Sequence, residues 1–137
     1  MELATFGAIM TFALELEQRA AVFYEEAAHG SLQEPFSDLA KMAHKRAKRI
    51  ERTRREGIAE MILEPITGMN GEDYLVELVP GRDEIERLSQ AIRLAETSIR
   101  FYQDAAEKIP VKEVARTCQR MATESEKQKA ELLRLQV

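Results

Sequence analysis

Of the residues that staple, ligate or break a chain, the 137-residue sequence holds few: one cysteine, two histidines, six glycines and four prolines. A lone Cys118 excludes an internal disulfide, so nothing points to an oxidising compartment. Glycine and proline this sparse, set against 45% hydrophobic and 32% charged residues, exclude a fibrous or low-complexity chain and describe a helix-rich one. There is no glycine-rich phosphate loop, no Ser-His-Asp arrangement and no paired-cysteine motif, which removes the signatures of phosphate cradling, nucleophilic hydrolysis and dithiol chemistry. The apolar run from Leu3 to Leu14 is interrupted by threonine, is too short to span a bilayer and follows no basic segment. The expectation is a cytoplasmic protein with no membrane segment, folded as one domain over residues 1–137.

Charge is present but unevenly spread. Residues 41–56, "KMAHKRAKRIERTRRE", hold eight Lys or Arg against two Glu, so this segment is +6 and the remainder −10 within a net −4. A helix this basic can face nucleic acid or an anionic membrane. No aromatic residue interleaves the charges, however, and the chain as a whole is acidic, which disfavours nucleic acid. The expected role is a solvated face met by acidic groups of the same molecule or its oligomer, with an acidic protein partner at the Lys41–Arg55 helix as the contact to test.

Apolar spacing defines four long helices. In the first, Phe6, Met10, Ala13, Glu17, Ala20, Tyr24 and Ala27 recur at steps of three and four, and His29-Gly30 supplies a glycine stop. Ser31, three residues before Glu34, is a capping-box candidate for a second helix with the stripe Phe36, Leu39, Ala43, Arg46 or Ala47, and Ile50. That pattern runs on past Gly57 through Ile58 and Ile62 to Pro65. Residues 64–84 form the one long connection, with an Asn-Gly turn, a short helix around Asp73 to Leu78 and a Pro-Gly break. The third helix carries Leu88, Ile92, Ala95, Ile99, Tyr102 and Ala106 and is closed by Ile109-Pro110. The fourth carries Val114, Cys118, Met121, Ser125, Gln128 and Leu132. Two hairpins with short links and one long crossover between helices two and three predict an all-α, antiparallel four-helix bundle.

The hairpins also repeat. "AVFYEEAAHG" (21–30) and "IRFYQDAAEK" (99–108) share a Phe-Tyr-acid-Ala-Ala core offset by 102 − 24 = 78 residues, as an internally duplicated bundle requires. With "LELEQRAAVFYEEAA" and "IRLAETSIRFYQDAA" on helices one and three, and a following Leu-Ala or Met-Ala, nearly the whole chain resembles the rubrerythrin branch of the ferritin-like family. The resemblance implies a dimer and a di-iron centre inside the bundle, held by one Glu from each of two helices and a Glu-x-x-His pair from each of the other two. Carboxylates there bridge two iron ions, imidazoles complete the coordination, and open positions admit oxygen or peroxide.

Laid on this chain, the pattern keeps one ligand. The helix-one Glu, seven residues before the motif tyrosine, is Glu17, whereas the same count on helix three gives Ala95. Leu-Ala-x-x-Glu-x-x-His laid on Leu39-Ala40 meets Ala43 and Arg46, and laid on Met121-Ala122 meets Ser125 and Gln128. Glu96, Glu124 and Glu126 neighbour the substituted positions, but a shift of one residue turns a helix by about 100°, off the apolar stripe. The only Glu-x-x-His, Glu26 to His29, lies nine residues beyond Glu17, about 13 Å along the axis. A capping or cationic His29 suits that helix end better than half of a relocated metal site.

Glu17 on the core stripe needs a partner, because a buried carboxylate alone is penalised by several kcal/mol. The expectation is that Arg46, in a histidine's place, supplies a fixed cation, with Gln128, Ser125, Tyr24 and Tyr102 completing a hydrogen-bonded polar layer that excludes metal. The alternative is that Ala47 takes the stripe, Arg46 snorkels outward and Glu17 is protonated or reaches water. Cys118 reads as a small buried hydrophobe and the six methionines as packing. The functional expectation is a non-enzymatic ferritin-like protein without cofactor, serving as a structural or interaction module. Self-association through an apolar face at Leu3, Phe6 and Ile9 suits it. The rival is an iron-binding oxidoreductase with a reduced or displaced site built on Glu17 and Glu96, Glu124 or Glu126.

Overall fold

Local signals start each helix. Thr5 caps α1 (Phe6–Ala27), its hydroxyl oxygen accepting the Ala8 amide at 3.0 Å, and Asp83 caps α3 (Glu84–Lys108), accepting from the Glu86 amide at 2.8 Å. In the computed structural model, which describes residues 1–57 and 66–136, α2 spans Gln33–Gly57 and α4 spans Lys112–Arg134. The expected continuation of α2 through Ile58 and Ile62 to Pro65 lies outside the described residues. α1 packs along α2 and α3 along α4, and the two hairpins meet where α1 faces α3 and α2 faces α4. The chain is an all-α four-helix bundle, and none of its described helices is long and apolar enough to cross a membrane.

The link between α1 and α2 differs from the expected capping box. Gly30 turns the chain at φ +61°, a conformation that favours glycine, into a single 3₁₀ turn over Gly30–Leu32. Ser31 is taken by a distant partner: its amide and hydroxyl both donate to the Glu84 carboxylate, at 2.9 and 2.7 Å. A carboxylate at the start of α3 thus fastens one hairpin's turn to the other hairpin.

The crossover packs on its own bundle. Its expected helix from Asp73 to Leu78 is a 3₁₀ turn over Gly71–Tyr74 followed by extended chain from Leu75. The N-terminal residues lie along its start: Leu3 N–H donates to Met69 C=O, Ile66 N–H to Ala4 C=O and Gly71 N–H to Met1 C=O, each at 2.8 Å. This strap covers the face expected to mediate self-association, so Leu3, Phe6 and Ile9 are buried in their own core and present no dimer surface. At the far end of the crossover Gln90 clasps the backbone, accepting from Gly81 N–H at 2.8 Å and donating to Val79 C=O at 2.7 Å.

The two Phe-Tyr pairs seat the hairpins. Tyr24 packs edge-on against both Phe23 and Phe36 of α2, with centroids 5.4 Å apart in each case, and Phe23 lies tilted 6.3 Å from Phe36. Phe101, adjoining Tyr102, lies tilted 5.2 Å from Phe12 of α1 and meets Tyr74 of the crossover edge-on, also at 5.2 Å. Edge-to-face pairs of this kind add about 0.5–1.5 kcal/mol each beyond burial. Because Ser31 after α1 meets Glu84 at the start of α3, while Phe101 meets Phe12 near the start of α1, the two helices run antiparallel and the repeated motif places its buried tyrosines, Tyr24 and Tyr102, toward opposite ends of the bundle.

Candidate functional site

Inside the bundle each helix contributes one side chain to a connected polar layer. Glu17 of α1 is 1% exposed, and its Oε1 accepts from Arg46 Nε of α2 at 3.2 Å. The other oxygen, Oε2, accepts a hydrogen bond from the Tyr102 hydroxyl of α3. Arg46 Nη2 donates to Gln128 Oε1 of α4 at 3.1 Å, and Gln128 Nε2 points at Met42 Sδ, 3.7 Å away. Arg46 is 4% exposed, so it does not snorkel; Ala47 is buried as well, because α2 is covered by both α1 and α4. Gln128 also lines a surface pocket of about 140 Å³ with Pro35, Met42 and Leu132.

The expected layer is thus four-membered rather than six. Ser125 is fully buried, but its hydroxyl has no hydrogen-bond partner among the described residues, and neither has Arg46 Nη1. Tyr24 is buried beside the pair without bonding to it: burial pushes its hydroxyl far above the ordinary tyrosine value, the Arg46 charge opposes this and the Glu17 charge adds to it. Ala43 and Ala95 put methyl groups into the same interior. All six positions that the ferritin-like pattern aligns, including Glu17, are buried.

The electrostatics are those of a closed pair. Burial alone lowers the Arg46 pKa, but the charge and hydrogen bond of Glu17, helped by the two tyrosines, outweigh it and the net direction is upward. Removing two ions from water is penalised by several kcal/mol each, offset only when geometry and further hydrogen bonds are good; here Tyr102 and Gln128 supply them. Burial, then the Glu17 charge and hydrogen bond, hold the Tyr102 hydroxyl protonated far into alkali.

These residues do not fit a di-iron centre. Glu17 is the one carboxylate at six ligand positions, the others being Ala43, Arg46, Ala95, Ser125 and Gln128, and a guanidinium stands where an imidazole is needed. No group of three or more His, Cys, Asp and Glu that could hold a metal ion occurs among the described residues. The carboxylates considered for a displaced site face elsewhere. Glu96 pairs with Lys129 at 3.2 Å, Glu124 with Arg49 at 3.0 Å, and Glu126 accepts from Gln103 at 3.3 Å. Glu26 and His29 are both exposed, with His29 in extended backbone beyond the helix end, so the pair does not converge on the interior. His44 lies outside as well, 3.0 Å from Glu25.

Cys118 is buried, and burial pushes its thiol up to about 12. With Tyr24 and Tyr102 it sets an alkaline limit on stability. The unfolded chain releases these protons near the ordinary values of 9.0 for the thiol and 10.0 for the phenols, while the folded chain retains them. Folded-state values are raised, so the stabilising contribution is whole below the ordinary values and is lost as pH climbs toward the folded ones. Each such group steepens the fall by up to about 1.4 kcal/mol per pH unit. Urea midpoints measured from neutrality upward are expected to hold below about pH 9 and then drop, and Tyr24→Phe, which breaks no hydrogen bond of the layer, is expected to make the drop shallower.

The sequence pointed to Glu17, Arg46, Tyr102 and Gln128 but not to Met42, Gln90 or the Ser31–Glu84 clasp, whose partners lie far off in the chain. Compared with known proteins, the chain matches no family model, no curated protein and no solved structure.

Proposed function

We propose that this is a ferritin-like, rubrerythrin-type bundle in which a fixed internal cation has taken the place of the metal centre, and that it works without cofactor in the cytoplasm as a structural or protein-interaction module. The observation that carries the reading is the Arg46 guanidinium 3.2 Å from the Glu17 carboxylate, both buried. A permanent cation bonded to the only aligned carboxylate repels an entering metal ion and occupies the donor that would hold it. The homodimer implied by the resemblance belongs to the same proposal and uses a face other than Leu3, Phe6 and Ile9.

Elemental analysis of protein purified from iron-supplemented cells tests this directly. The expected iron content is far below stoichiometric. About two irons per chain, the loading of a working di-iron bundle, overturns the reading in favour of an iron-handling oxidoreductase.

A further inference from the structure

The fold sorts the eight cations of residues 41–56. Arg46 goes inward to Glu17, Arg49 pairs with Glu124 at 3.0 Å, and Arg54 reaches the Thr11 hydroxyl at 3.4 Å. The five that remain, Lys41, Lys45, Lys48, Arg52 and Arg55, are all exposed and make no ion pair with any described residue. Their steps of four, three, four and three confine them to an arc of roughly 80° and a line about 21 Å long on the outer side of α2.

We infer that this stripe is a docking face for an acidic helix of another protein, an inference that rests on the interaction role proposed above and names its partner class. Charges recurring every 3.5 residues stay in line only with a partner of the same period, which is what a helix packed along α2 offers. A nucleic-acid groove embraces a helix on both flanks, and here the flanks carry exposed Glu51 and Glu56, roughly 80° and 60° from the mid-line. A membrane surface is met by helices that bury an apolar face in lipid, and the apolar face of α2, with Leu39, Ala43 and Ile50, is already in the bundle core. A second copy of the chain does not match either, because the outward faces of its other described helices mix signs: Glu15 with Arg19, Arg93 with Glu96, Glu126 with Lys127.

The probe is a synthetic helical peptide with glutamates at i, i+4, i+7, i+11 and i+14, followed by fluorescence anisotropy against a shuffled peptide of identical composition, duplex DNA and phosphatidylserine vesicles. The matched peptide is expected to bind best and to lose affinity as salt rises. The double reversal Lys45→Glu/Lys48→Glu, at exposed positions with the helical circular dichroism retained, is expected to weaken it about tenfold or more. Equal binding of the shuffled peptide, tighter retention by DNA or vesicles at the same salt, indifference to the reversal, or no binding at all overturns the inference. Iron analysis of the same samples separates the two readings. An iron-loaded chain that binds the matched peptide sinks the metal-free proposal and leaves the stripe standing, whereas an iron-free chain that ignores the peptide does the opposite.

Discussion

Arg46→Met is expected to destabilise the fold by about 3–5 kcal/mol, the usual consequence of stranding one member of a buried ion pair. Methionine replaces much of the side-chain volume, so the loss reports electrostatics more than a cavity. It leaves the Glu17 Oε1 and the Gln128 Oε1 without the donor each now has. Glu17→Gln alone strands the guanidinium instead and is expected to be destabilising too. The double variant removes both charges and is expected to recover most of the stability, because a neutral layer of similar volume avoids both desolvation penalties. Urea unfolding of the four proteins closes the cycle, with a coupling energy of about 3 kcal/mol or more expected. A coupling near zero would mean that the contact seen between Arg46 and Glu17 carries no energetic weight.

Iron uptake is the larger expected change of behaviour. Restoring the aligned ligands together, as Ala43→Glu, Arg46→His, Ala95→Glu, Ser125→Glu and Gln128→His, removes the internal cation and gathers four carboxylates and two imidazoles at positions that are all buried. Without metal these carboxylates repel one another and each resists desolvation, so the variant is expected to unfold far more readily than the parent. Ferrous or cobaltous ion offsets that repulsion, and ion at a thousandfold excess over its dissociation constant adds about 4 kcal/mol. The expected signature is a melting temperature that rises steeply with metal, together with about two ions per chain on elemental analysis. A folded variant that stays metal-free counts against the alignment of Glu17, Ala43, Arg46, Ala95, Ser125 and Gln128, and with it against the ferritin-like origin proposed for the chain.

How much of this was readable from residues alone depends on the range of the interactions. The helices were, because stripes such as Leu88, Ile92 and Ala95 follow the period of the backbone and need no knowledge of the partner. Glu17 and Arg46 were readable as a pair because both fall on such stripes. The choice between Arg46 and Ala47 was not, since a helix covered on two sides buries a broader arc than one stripe. Ser31 looked like a local cap with Glu34, yet Glu84, 53 residues away, holds it instead. Residues 73–78 looked helical, but the N-terminal strap and the Gln90 clasp draw the crossover into a 3₁₀ turn and extended chain. The same strap turns Leu3, Phe6 and Ile9 from an apparent sticky end into core. Long-range hydrogen bonds of this kind leave no periodic trace.

Because Glu17, Arg46, Tyr102 and Gln128 come one from each helix, no half-assembled form can satisfy them. A first hairpin that forms alone keeps the acid–base contact but loses the phenol and the amide, and a second hairpin alone holds neither charge. Partly folded species are thereby raised in energy relative to both ends of the reaction, which sharpens the transition between them. The polar centre of this bundle acts less as glue than as a rule that all four helices arrive or none stay.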